Sequence, residues 1–322
     1  MIHELKKLSG KVYWNAAISN DGTNAFMCGR SVRVLDCNTQ RFIQTVCKTP
    51  NACIAISHDQ KTVCIGCTSN DDSLIVVECA YDQGTLIEQS RTTVRNCLNS
   101  DGGKPCFSVD NKYLFFASHS KKLWRYTCGT GECQCIYQPD YPDQFIKFDV
   151  YKDQILISVN SSSSENNHHG YDILNPSGEC IKSLRYRNDR PMAHAIRHGK
   201  WLNTEEFVGL FSLSAFYSSH DILQKITWKT VDDLVMSSSD IKLERAKASY
   251  EELYFSPDCR YVALVLHDFD SKGFPFFITL YSTKDMRKVI ELESHGFVTI
   301  SFSANAQHMF ICSDSFYNIS LE

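Results

Sequence analysis

The sequence predicts an all-β protein, a seven-bladed β-propeller that takes in residues 1–322 as a single domain and is closed by an N-terminal strand completing the last blade. Three observations lead there. A two-strand phrase recurs seven times at blade-like spacing. The apolar runs are short, and many are apolar on both faces. The seventh copy lacks an outer strand, while an orphan apolar segment precedes the first.

The recurring phrase is an apolar strand, a Ser or Asp, a polar turn and a second apolar strand. It reads AAISNDGTNAFMCG (16–29), CIAISHDQKTVCIGC (53–67), CFSVDNKYLFFAS (106–118) and KFDVYKDQILISV (147–159). It continues as AIRHGKWLNTEEFVGLFS (195–212), LYFSPDCRYVALVL (253–266) and ISFSANAQHMFICS (300–313). The turn positions Ser19, Ser57, Ser108, Asp149, His198, Ser256 and Ser303 stand 38, 51, 41, 49, 58 and 47 residues apart. Periods of about 40–50 residues suit four-strand propeller blades. Helical repeats of that length would show 3.6-residue apolar stripes; here Asp, Asn, Gly and Ser break the chain into strand-length runs.

Third and fourth strands follow most copies: SVRVLDC (31–37) then RFIQTV (41–46), KLWRYTC (122–128) then CQCIY (133–137), and FFITLYS (276–282) then RKVIEL (287–292). In the fifth copy ILQKITW (222–228) reads as the third strand. DLVMS or IKLERAK supplies the fourth after a long crossover, although 240–253 would also suit a helix capped by Asp240. Runs such as YLFFAS, YVALVLH and FFITLY offer neither face to water, as a blade packed between two others requires. Residues 2–7 are expected to pair beside the final strand FYNISL, which removes an exposed edge.

The turn between first and second strands is S-x-D-x in Ser19–Asp21, Ser57–Asp59, Ser108–Asp110 and Ser256–Asp258. Third strands end in phrases such as VRVLDCNT and LWRYTCGT. In these features the whole chain resembles the WD40-repeat propellers. It departs from them in lacking the Gly-His pair that opens a blade and the Trp-Asp pair that ends a third strand, Leu35-Asp36 being nearest. That family's Ser/Thr–His–Asp–Trp network is therefore not carried over.

The formal net charge is −4, from 33 basic and 37 acidic residues. The densest basic-aromatic patch (Lys121, Lys122, Trp124, Arg125, Tyr126) reads as one exposed strand face, so nucleic acid is not the expected ligand. The start MIHELKKLSG lacks a signal-peptide core and no run is long enough to span a membrane, so the reading is cytoplasmic, without a membrane partner. Fifteen cysteines, twelve of them before residue 136, then read as reduced, buried small hydrophobes.

No catalytic, metal or cofactor site is expected. Cys64 and Cys67 have CxxC spacing but sit on a strand, where positions i and i+3 face opposite ways; Cys128, Cys133 and Cys135 cluster without a matching turn. His194 and His198 on a strand would be roughly 13 Å apart. His168-His169 falls in a polar loop, and Gly102-Gly103-Lys104 lacks the rest of a phosphate-binding loop.

The expected function is a non-catalytic protein- or peptide-binding scaffold: adaptor, sensor or assembly subunit. The long connections, such as 68–73, 160–171, 267–275, 89–104, 137–144, 185–192 and 229–248, fall between second and third strands and between blades. In a WD40-like ring both classes project from one face, where binding surfaces are usually carried. Residues entering the first strands (Tyr13, Asn51, Lys104, Asp143, Met192, Tyr250 and His295) are expected to ring the channel mouth, with Arg185, Arg187, Asp189 and Arg190 on the rim. The alternative is a small-molecule hydrolase or ligand-binding propeller of lactonase type, with Asp143, Glu251 and His295 converging on the channel.

Overall fold

The computed structural model describes residues 2–5, 13–48, 52–68, 73–95, 104–118, 121–140, 144–152, 154–161, 170–185, 195–201, 206–212, 220–227, 241–244, 251–267, 275–285, 287–296, 298–313 and 315–321. Its strands form seven four-stranded sheets. Sheet one comprises β2 (Asn15–Ile18), β3 (Asn24–Cys28), β4 (Val32–Asp36) and β5 (Arg41–Cys47). Sheet two comprises β6 (Cys53–Ile56), β7 (Thr62–Thr68), β8 (Leu74–Asp82) and β9 (Thr85–Val94). Sheet three holds β10 (Cys106–Phe107), β11 (Tyr113–Ser118), β12 (Lys122–Thr127) and β13 (Cys133–Tyr137). Sheet four holds β14 (Gln144–Tyr151), β15 (Gln154–Ser161), β16 (Gly170–Leu174) and β17 (Cys180–Arg185). In sheet five, β18 (Ala195–Trp201), β19 (Glu206–Ser212), β20 (His220–Thr227) and β21 (Ile241–Glu244) are described as backbone alone. Sheet six is β22 (Glu251–Phe255), β23 (Tyr261–His267), β24 (Phe276–Ser282) and β25 (Lys288–Ser294). Sheet seven is β26 (Thr299–Phe302), β27 (His308–Cys312) and β28 (Phe316–Ser320), with β1 (Ile2–Leu5) beside β28.

Within each sheet the strands run antiparallel in chain order. The β1–β28 pair is also antiparallel, with Ile2 opposite Ile319 and Leu5 opposite Phe316. First strands neighbour one another in the order β2, β6, β10, β14, β18, β22, β26, and β26 neighbours β2 again. The architecture is an all-β propeller.

Strand alternation places apolar side chains on both faces. In β3, Phe26 and Cys28 pack into a core shared with sheet two, while Ala25 and Met27 pack against Phe310 and Phe316 of sheet seven. In β11, Leu114 and Phe116 face sheet two and Phe115 and Ala117 face sheet four. Cys64 and Cys67 on β7 fall into two different cores, as their odd spacing requires. The fourteen described cysteines are unbridged thiols; Cys97 lies outside the described residues.

Five of the turns between first and second strands share one geometry. The Ser57 hydroxyl donates to Asp59 (2.6 Å), accepts the Thr62 N–H (2.9 Å), and its carbonyl accepts the Gln60 N–H (3.0 Å). Ser19, Ser108, Ser256 and Ser303 repeat this, with Asn305 replacing Asp in the last. Those donated hydroxyls hold the Asp59 and Asp110 carboxyls below the usual range. The fourth residue of the turn has positive φ, as at Gln60 (60°) and Asn111 (61°), a conformation that short amide side chains tolerate. At Gln60 and Asn111 the side chain then binds the preceding sheet. The Asn20 N–H donates to Gln60 Oε1 (2.9 Å) and the His58 N–H to Asn111 Oδ1 (2.8 Å). Sheets seven and one are joined by Asn305, whose N–H and side-chain amide donate to Asn20 at 2.9 Å each.

Turns between third and fourth strands wedge against the preceding sheet. Gly84, Gly131 and Gly178 each face a residue of that neighbour, namely Asn24, Thr92 and Ile136. Gln44 of β5 clasps Leu86 of β9 through both backbone groups at 2.8 Å, and Arg125 donates to the Pro176 carbonyl at 2.9 Å. Buried carboxylates add ties. Glu78 accepts from the Tyr126 hydroxyl (2.6 Å), and Asp172 accepts from Ser183 (2.6 Å) and from Tyr137. Burial and the adjacent Glu78 push the Tyr126 hydroxyl well above its ordinary range.

Several sequence boundaries need correction. His198 lies inside β18, at a bulge, and not in a turn. Asp149 lies inside β14, opposite Leu156, so that hairpin turns later, beyond Tyr151. Residues 89–94 belong to β9 and not to a connection, and Ile241–Glu244 supplies the fourth strand of sheet five.

The wedge contact yields a stability prediction. An added Cβ at Gly178 would lie 2.5 Å from the Ile136 carbonyl oxygen, whereas at Gly129 it meets nothing within 4 Å. Both have positive φ, so each alanine incurs a backbone cost of about 1 kcal/mol. Gly178→Ala should lose about 2 kcal/mol more in urea unfolding than Gly129→Ala; equal losses would mean that the wedge carries no load.

Candidate binding face

First strands begin at the end of the molecule where the sheet-to-sheet connections arrive. Of the residues expected there, Tyr13, Lys104 and His295 have described side chains. Arg185 ends β17, with its backbone alone described; Asn51, Asp143, Arg187, Asp189, Arg190, Met192 and Tyr250 lie outside the described residues.

Tyr13 is not a surface residue. It is 4 % exposed and wedged between sheets one and seven, its ring centroid 6.2 Å from Phe42 and 6.1 Å from Phe316. Burial raises its hydroxyl pKa, with the nearby Arg33 charge opposing. The hydroxyl has no hydrogen bond among the described residues. The next residue is the exposed one. Trp14 is 40 % exposed, and its N–H donates to the Cys28 carbonyl (3.0 Å), extending the β2–β3 ladder. Tyr13 precedes β2 and packs with Ala16 and Ile18, a three-residue step that does not follow strand alternation.

Lys104 reaches across to other sheets. It precedes β10, yet its ammonium lies 4.6 Å from the Tyr254 ring centroid on β22 and donates to the Ile300 carbonyl on β26. Those strands belong to sheets six and seven, so the side chain spans from sheet three to both. A cation desolvated against an aromatic face and a carbonyl is a strong contact. His295 follows β25, is exposed, and lies 3.5 Å from Glu293 of its own sheet, an ion pair only when the imidazole is protonated. Of the three residues proposed to converge for catalysis, it alone has a described side chain, and it faces Glu293. Among the described residues no group of three or more His, Cys, Asp or Glu is placed to hold a metal ion, and no helix is long and apolar enough to cross a membrane.

No family model matches the chain, and no curated protein sequence matches it. Solved structures do. A structure of U3-55K superposes with a TM-score of 0.65 at 12 % identity, covering 99 % of this chain and 98 % of that one. The crystal structure of the RRP9 WD40 repeats gives 0.65 at 11 % identity, covering 100 % and 97 %. The fold is thus that of WD40 propellers over the full length.

Tyr13 separates packing from polarity. Tyr13→Phe removes only an unpartnered hydroxyl and should leave the melting temperature unchanged or raised. Tyr13→Ala should cost about 3–5 kcal/mol, as for other buried aromatics. A large loss in the phenylalanine variant would show the hydroxyl to be bonded.

Proposed function

We propose that this chain is a non-catalytic scaffold that binds a protein or peptide at the end where its first strands begin. The observation that carries the reading is at that end: the Lys104 ammonium is engaged with the Tyr254 ring and the Ile300 carbonyl, while Trp14 is left open to solvent. Exposed tryptophan is enriched at recognition hot spots, and rigid propellers present such residues without a folding cost on binding. A small-molecule site of lactonase type at the mouth would need the Lys104 ammonium withdrawn from two partners. The net charge of −4 disfavours nucleic acid, and the unbridged thiols suit a cytoplasmic setting.

The proposal takes the seven sheets as seven blades of one closed ring, with β1 as the outer strand of the last. The β1–β28 pairing and the return of first-strand neighbours from β26 to β2 support this.

Variants carrying Trp14→Ala should lose the proteins that co-purify with the wild type from native lysate, at an unchanged melting temperature. Asn38→Ala and Lys284→Ala, in turns at the opposite end, should retain them. Loss on the turn variants with retention on Trp14→Ala would move the site to the other face.

A further inference from the structure

The register of sheet one sets a row of residues at the end where first strands begin. Asn15 lies opposite Cys28, Cys28 opposite Val32, and Val32 opposite Cys47. One step further out come Trp14 ahead of the inner strand, the connection 29–31 carrying Arg30, and Lys48 past the outer strand. Four strands about 4.8 Å apart put roughly 14 Å of backbone between the first and last of these. Trp14 is 40 % exposed, and Arg30 and Lys48 are exposed. Arg33 is turned aside, its Nε on the Ser31 hydroxyl (3.1 Å) and its guanidinium over the Phe42 ring. In sheet two Thr68 lies opposite Leu74 and Leu74 opposite Val94, so the exposed Arg95 leaves the outer strand at the same end.

The charges of these two sheets are sorted by end. Of their described acids, Asp21, Asp36, Asp59 and Asp82 sit at the turns of the opposite end, where Arg41 and Lys61 also lie. Glu78 is buried, and Glu88 is bound to Arg91 within β9. Among the described residues none of Arg30, Lys48 and Arg95 enters an ion pair. Lys11, Asp71 and Asp72, in neighbouring connections, lie outside the described residues.

We propose that the Trp14 end of sheets one and two takes an acidic peptide: an extended segment of a partner protein that sets one apolar side chain on the indole and carboxylates on Arg30, Lys48 and Arg95. This rests on the reading of that end as the binding face and adds the chemistry of the occupant. An extended chain advances about 3.3 Å per residue, so roughly four or five residues cover the row. The indole supplies the apolar anchor, and the cations supply charge-assisted bonds that select Asp and Glu over neutral or basic side chains. A nucleic-acid strand is negative too, but a chain of net charge −4 repels a long polyanion.

The test selects binders from a displayed library of random peptides on the immobilised full-length protein at low salt, then measures the enriched peptides by fluorescence anisotropy. The expected result is enrichment of sequences with Asp and Glu around an apolar residue. Trp14→Ala, and Arg30→Glu combined with Lys48→Glu, should each weaken these peptides about tenfold or more at an unchanged melting temperature, and added salt should weaken them as well. Arg41→Glu makes the same charge change at the opposite end of sheet one and should leave binding unaltered. Enriched peptides that need Trp14 but are neutral or basic, or acidic peptides that tolerate the double reversal, would overturn the acidic occupant and leave the binding face standing. Equal weakening by Arg41→Glu would reduce the effect to net charge and also overturn it. A single-stranded oligodeoxynucleotide that binds more tightly than the peptides would assign the row to nucleic acid instead. Binders indifferent to Trp14→Ala, or a selection that enriches nothing, would overturn both the occupant and the face.

Discussion

A sheet that is apolar on both faces must be covered on both, and the molecule is organised around that demand. Cores form between successive sheets: one and two around Phe26 and Ile65, two and three around Leu114 and Cys64, three and four around Phe115 and Ile157. They also form between six and seven around Val265 and Met309, and between seven and one around Phe310 and Met27. Each buried aliphatic or aromatic side chain contributes about 1.5–3 kcal/mol, so the sheet contacts dominate the stability. The turn chemistry is secondary to them, but it sets the angle at which one sheet meets the next. Gln60 and Asn111 reach back from their turns to the preceding sheet, and Gly84, Gly131 and Gly178 allow close approach at the same end.

Packing also explains which polar groups lie inside. Glu78 and Asp172 are buried, and each accepts hydrogen bonds from tyrosine and serine or backbone donors across or within sheets. A buried carboxylate without such donors would be strongly destabilising. These bonds sit between sheets, away from the end where Trp14 is exposed. Sheet-to-sheet adhesion and the proposed recognition surface are therefore carried by different residues.

Much of this was legible in the residues. The S-x-D-x turns located four hairpins because Ser and Asp must be placed two apart to share one hydroxyl, and the alternation in YLFFAS revealed a strand covered on both sides. Where the turn motif is missing, the register was lost. His198 was assigned to a turn because no Ser-x-Asp pair marks the fifth copy, and a bulge between Ile196 and His198 shifts the strand besides. Strict alternation from Ala16 and Ile18 would put Trp14 inside, and the chain breaks that phase just ahead of β2, where Tyr13 is the buried one. The crossing of Lys104 to Tyr254 and Ile300 joins residues some 150 to 200 positions apart, and a single sequence contains no local signal for such a contact.

The central proposal is that the first strand, paired beside β28, closes the ring. Hydrogen exchange and thermal melting of a variant lacking residues 1–10 test it most directly. The account predicts loss of protection at the Phe316–Ser320 amides and a fall in melting temperature well beyond the few degrees that about 1 kcal/mol would produce in a chain of this size. Melting within those few degrees, with Phe316–Ser320 still protected, would contradict it.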